Sequence, residues 1–125
     1  MEYDGGMNDK EIVKIEFTNE FGRNIRLLAR KYPNIKKDVK SIVDRLEKGE
    51  FLGDQIQRVG VVIYKVRIKN SDLKKGKRSG YRLIYYLAGR KKIILITIYS
   101  KTEQGDIKTE RIRRIVNNLL KENRK

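Results

Sequence analysis

Apolar and polar positions alternate from Glu11 to Phe17, with Val13, Ile15 and Phe17 on one side and Lys14 and Glu16 on the other. That period of two is the mark of a half-buried strand. Thr18 or Asn19 can then cap a helix in which Phe21, Ile25 and Leu28 share one face, and Pro33 ends it. Asn34 is a suitable cap for a second helix with a stripe of Ile35, Val39, Ile42, Val43 and Leu46, closed by Gly49. Three further strands are predicted over Val59 to Lys69, Tyr81 to Leu87 and Lys92 to Ser100. The last two are joined by a hairpin-length connection containing Gly89. Asp106 or Thr109 caps a third helix whose inner face carries Ile112, Ile115, Val116, Leu119 and Leu120. The order β-α-α-β-β-β-α predicts an α+β fold, a small antiparallel sheet with the helices packed on one face. The other face is then expected to be open to solvent.

At 125 residues the chain is expected to be one domain over 10–125, preceded by a flexible tail over 1–9 that contains Gly5 and Gly6. It has no cysteine and no histidine, which removes disulfides, a thiol nucleophile and the usual transition-metal ligands. No apolar run approaches a membrane span, and the acid-bearing start is unlike a signal peptide. A cytoplasmic protein without membrane association is the expectation.

Charge changes the picture more than composition does. Of the formal +15, the segment from Tyr64 to Lys101 holds +11, with twelve Lys or Arg, one acid (Asp72) and five of the seven tyrosines. Cations interleaved with aromatics on strand-like sequence suit a polyphosphate chain and its bases. In the first of the three later strands, Val62, Tyr64, Val66 and Ile68 point one way, and Ile63, Lys65, Arg67 and Lys69 the other. Lys65 and Arg67 therefore project from the open face, about 7 Å apart. Arg82 shares its parity with Ile84 and Tyr86, opposite Tyr81, Leu83 and Tyr85, and alternation alone leaves open which set meets solvent. Thr97, Tyr99 and Lys101 are expected on one face, opposite Ile94, Ile96 and Ile98. A meander of these strands brings Lys65, Arg67, Arg82, Tyr99 and Lys101 towards one groove. The intervening polar loop adds Lys74, Lys75, Lys77 and Arg78. Between Val59 and Lys108 the only acids are Asp72, Glu103 and Asp106, a spacing that offers no carboxylate cluster for Mg²⁺. Neither a metal nor another cofactor is expected.

Three stretches carry a family resemblance: Tyr64-Lys65-Val66-Arg67-Ile68, the run Gly76 to Tyr86, and Ile98-Tyr99-Ser100-Lys101-Thr102-Glu103-Gln104. Together they resemble the RelE/ParE toxin superfamily, and most of all its RelE- and HigB-like branches. The resemblance implies the toxin of a toxin–antitoxin system, a ribosome-dependent endoribonuclease that cuts mRNA in the ribosomal A site. It also implies silencing by a cognate antitoxin, expected to present an acidic or amphipathic segment. By residue matching, Lys65, Arg67, Arg82 and Lys101 fall on the basic active-site positions. Lys69, Lys74, Lys75, Lys77 and Arg78 become RNA contacts, and Tyr86 and Tyr99 stacking or catalytic substitutes. The chain departs from the family at Thr102 and Lys108, where well-known members carry an arginine and a tyrosine, and its lack of histidine excludes the histidine-using variant.

Metal-free cleavage requires a base for the 2′-hydroxyl, cations for the phosphorane-like transition state and an acid for the 5′-oxygen. Arg67 and Arg82 suit the cationic task. Lys65 is the expected base if its neighbours lower a pKa that is ordinarily near 10.4, with Glu103 as the alternative base. Two other readings share the charge pattern: a ParE-like toxin that poisons gyrase, and a non-catalytic module that binds RNA or the ribosome.

Overall fold

A computed structural model describes residues 12–57, 60–74, 76 and 79–123. The tail expected over 1–9, the strand start at Val59, and Lys75, Lys77 and Arg78 lie outside the described residues. The elements are β1 (Lys14–Phe17), α1 (Asn19–Lys31), α2 (Ile35–Glu47), β2 (Asp54–Ile56), β3 (Ile63–Ile68), β4 (Tyr81–Gly89), β5 (Lys92–Ser100) and α3 (Thr109–Asn123). The protein is α+β, and its five strands form one open sheet in the order β1-β5-β4-β3-β2. Among the described residues no helix is long and apolar enough to cross a membrane.

Two features of the sheet differ from the sequence reading. The sheet is mixed, because β1 runs parallel to β5 while the other pairs are antiparallel. A three-residue strand, β2, also adds itself to the outer edge of β3. It is too short to show an alternation, so no period could announce it.

The helices cover both faces rather than one. α1 and α2 pack over Val66, Ile68, Tyr81, Leu83, Tyr85, Ile93, Leu95 and Ile98. On the opposite face Ile63, Ile84, Ile96 and Tyr99 form a second core with Ile112 and Val116 of α3. The reason lies in the second face itself. Ile63 and Ile84 make part of it as apolar as the first, and that part requires cover. Its cationic positions gather at one end: Arg67 pairs with Arg82 and Arg82 with Tyr99, two residues before Lys101. α3 covers the apolar part and leaves the cationic end open.

A bulge decides which side chains of β5 reach that second core. Ile84 pairs with Thr97 but Tyr85 pairs with Leu95, so Ile96 is an extra residue in β5. The extra residue breaks the alternation. Ile96 and Tyr99 consequently share one core while Ile98 belongs to the other, which corrects the expected grouping of Ile94, Ile96 and Ile98.

The start of α1 is tied to this bulge. The Thr18 hydroxyl accepts from Phe21 N at 3.0 Å as a helix cap and donates to the Ile96 carbonyl at 2.6 Å. Asn24 Nδ2 donates to Thr97 Oγ1 and to the Ile98 carbonyl, each at 3.1 Å. Thr18→Ala removes the cap and one partner of a part-buried carbonyl together. A loss of about 2 kcal/mol is expected in urea unfolding; a loss below about 0.5 kcal/mol would mean that water replaces both contacts. Asn34, by contrast, makes no side-chain cap. Its backbone N and Nδ2 both donate to the Asp72 carboxylate, at 3.0 and 2.8 Å.

Candidate functional site

The open end of the second face is a cleft of about 570 Å³, walled by Gly53 to Ile56 on one side and by Lys101 and Asp106 on the other. Lys65, Arg67 and Arg82 line it between those walls. All four basic residues that the sequence placed at the centre of the site are therefore brought together.

Each is held differently. Arg82 is 4% exposed, and its Nη1 donates to the Tyr81 carbonyl at 3.1 Å. Burial first, and then the neighbouring Arg67 guanidinium, pull Arg82 below the ordinary arginine value, yet an arginine so placed stays a cation at neutral pH. Arg67 stands directly across from it on β3 and is exposed. Like charges in directly opposed strand positions are unfavourable, so this pair is a feature that an anion lying between the strands would relieve. Lys101 is fixed at its backbone, where its N donates to the Gly80 carbonyl at 2.9 Å. Lys65 occupies the position opposite Asp54 of β2.

Asp106 was not foreseen as a site residue, and it organises one side of the cleft. Its Oδ1 accepts from Lys101 Nζ at 2.8 Å and lies 3.8 Å from Lys65 Nζ. The Lys101 hydrogen bond, followed by the charge of Lys65, holds the Asp106 carboxyl below its ordinary value. A depressed carboxyl pKa favours the folded ion pairs above the ordinary carboxylate range, and that contribution disappears as pH falls through the lowered value. Asp106 is therefore ionised throughout the neutral range, where both lysines pair with it. Asp54 and Gln55, which arrive on β2, were missed for the same reason as β2 itself. Gly53, whose φ is +91°, was the one local sign of a sharp approach there.

Several expected contacts lie elsewhere. Tyr99 is 4% exposed and packs in the second core. Burial raises the pKa of its hydroxyl, which among the described residues takes a long contact from Ile107 N at 3.4 Å. It offers no free ring face for a base. Tyr86 is four residues along β4 from Arg82, about 13 Å away, half-buried against the same core. Glu103 is turned to the opposite side of the molecule, where Oε2 accepts from the Tyr32 hydroxyl at 2.8 Å and pairs with Lys31 at 3.1 Å. Those two partners, Tyr32 the stronger, lower its pKa, and it does not line the cleft. Lys69 and Lys74 line a second, neighbouring cleft.

The arrangement can hold a phosphodiester between two guanidinium groups, with two ammonium groups and one ionised carboxylate beside it. Among the described residues no group of three or more histidine, cysteine, aspartate or glutamate side chains is placed to hold a metal ion. No known family model matches this chain.

Proposed function

We propose that the protein is a RelE-like toxin of a toxin–antitoxin system, a metal-independent endoribonuclease acting on mRNA bound to the ribosome in the cytoplasm. The observation that carries this reading is the cross-strand pair Arg67 and Arg82, flanked by Lys65 and Lys101 in one open cleft. In this reading the two guanidinium groups bind the non-bridging oxygens of the scissile phosphate and stabilise the charge that grows on them. The 2′-hydroxyl attacks phosphorus and its proton passes to Asp106, not to Lys65 as the sequence suggested. The bond to the 5′-oxygen breaks and that oxygen takes a proton from the Lys65 or Lys101 ammonium. The products are a 2′,3′-cyclic phosphate and a free 5′-hydroxyl. An antitoxin segment rich in carboxylates would silence the toxin by occupying the same cleft.

Asp106→Asn separates binding from chemistry. It releases two cations from their carboxylate, so affinity for single-stranded RNA is expected to rise, and the slope of log K against log salt to steepen by about 0.7. Cleavage is expected to fall by about 10²-fold, the low end of general-base effects, because a carboxylate of lowered pKa is a weak base. Weaker RNA binding by Asp106→Asn would mean that the carboxylate positions the lysines rather than competing for them.

The reading is tested in cells by pulse labelling after induced expression. Protein synthesis is expected to stop while DNA synthesis continues. The reverse order would indicate the gyrase-directed alternative, and no effect on either would indicate a non-catalytic module.

A further inference from the structure

A second cleft of about 720 Å³ lies between α2 and the segment that follows β3. Ile42, Ile68 and Leu73 give it apolar walls, and Arg67, Lys69 and Lys74 give it a basic side. β2 pairs with β3 only as far as Lys65, so among the described residues no strand pairs with the outer edge of β3 at Arg67. That residue forms part of the wall of both clefts. Lys65, Arg67 and Lys69 occupy alternate positions, about 7 Å apart. They make a row of cations that begins in the first cleft and ends in the second.

Ion pairing separates this row from an ordinary charged surface. Arg45, in the second cleft, is taken by Glu50 at 2.9 Å, and Lys65 faces Asp106. Among the described residues Arg67, Lys69 and Lys74 have no salt-bridge partner. The acid of the second cleft, Asp38, directs its Oδ2 to the backbone N and the hydroxyl of Ser71, at 2.9 and 3.0 Å. Cations without a salt-bridge partner, beside an apolar wall, match the two halves of a nucleotide, a phosphate outside and a base within.

We infer that the second cleft continues the RNA site. A strand with its scissile phosphate between Arg67 and Arg82 passes the open edge of β3 and lays its next nucleotides along Lys69 and Lys74, one base resting on Ile42 and Leu73, the two partly exposed apolar side chains of the cleft. The inference rests on the nuclease reading above and adds to it a direction: nucleotides on one side of the cut are gripped and those on the other are not.

The test is fluorescence anisotropy with 2′-O-methyl oligonucleotides, which cannot be cleaved by 2′-hydroxyl attack, of about 4 and about 10 nucleotides. The longer ones extend the short core on either its 5′ or its 3′ side. Extension on one side only is expected to tighten binding by the unsubstituted protein. The double variant K69A/K74A, both at exposed positions, should lose that gain, and its slope of log K against log salt should be shallower by about 1.4. Equal gains from both extensions, or an unchanged slope in K69A/K74A, would overturn the second subsite while leaving the nuclease reading in place. No binding of any oligonucleotide, together with intact message on the ribosome, would overturn both.

Discussion

Arg82→Ala is expected to lower the single-turnover rate of message cleavage by about 10²- to 10³-fold, the loss seen when one preorganised donor to a developing oxyanion is removed. Arg82 is the buried member of the cross-strand pair, so its guanidinium is held in place before substrate arrives and acts where water is partly excluded. Arg67, exposed on the facing strand, remains to bind the phosphate. Affinity for RNA should therefore fall by no more than about tenfold, or 1.4 kcal/mol. Arg82→Lys keeps the charge and loses the two-pronged geometry, and an intermediate rate is expected. The fold should survive Arg82→Ala, since the substitution removes a cation that Arg67 opposes, and a retained circular dichroism spectrum checks this. Equal losses in binding and in rate would show that Arg82 only attracts RNA.

Gly53→Ala is the substitution expected to damage the site through the fold. Gly53 has φ +91°, a left-handed conformation that disfavours any side chain by about 1–2 kcal/mol. A Cβ at Gly53 would also run into the Lys65 carbonyl and approach Val66 Cα. These are backbone atoms of the neighbouring strand and cannot swing aside. Relief requires β2 to move off β3, and Asp54, Gln55 and one wall of the cleft would go with it. A total loss of about 3 kcal/mol is expected, within the range of severe single substitutions. Gly49→Ala isolates the two contributions. Its φ of +89° is almost the same, yet an added Cβ would meet nothing within 4 Å, so about 1 kcal/mol is expected. Urea unfolding of the two variants should differ by about 2 kcal/mol; equal losses would mean that β2 yields without resistance.

The parts of this molecule that were legible in the sequence are those written in a local period. The stripe Ile35, Val39 and Leu46 set α2, and the alternation through Ile63 to Ile68 placed Lys65 and Arg67 on the face away from α1 and α2. The parts that were not legible depend on pairing between distant segments. The parity of Arg82 is fixed only by its neighbours on β3 and β5. The extra residue at Ile96 moves Tyr99 from an expected groove position into a core, and no local pattern marks a bulge among the consecutive apolar residues of β5. Glu103 and Asp106 are three residues apart in a turn region, and only the path of that turn sends one to Tyr32 and the other to Lys101. The packing of α3 on the second face followed from Ile63 and Ile84, which alternation had already placed beside the lysines and arginines. A face mixed in that way can be half core and half site.

The most direct test of the nuclease reading is primer extension on a message paused in a purified ribosome, with the 5′ fragment examined for its terminus. A cut within the A-site codon that leaves a 2′,3′-cyclic phosphate is the expected result. A message that stays intact with folded protein bound to the ribosome would contradict it.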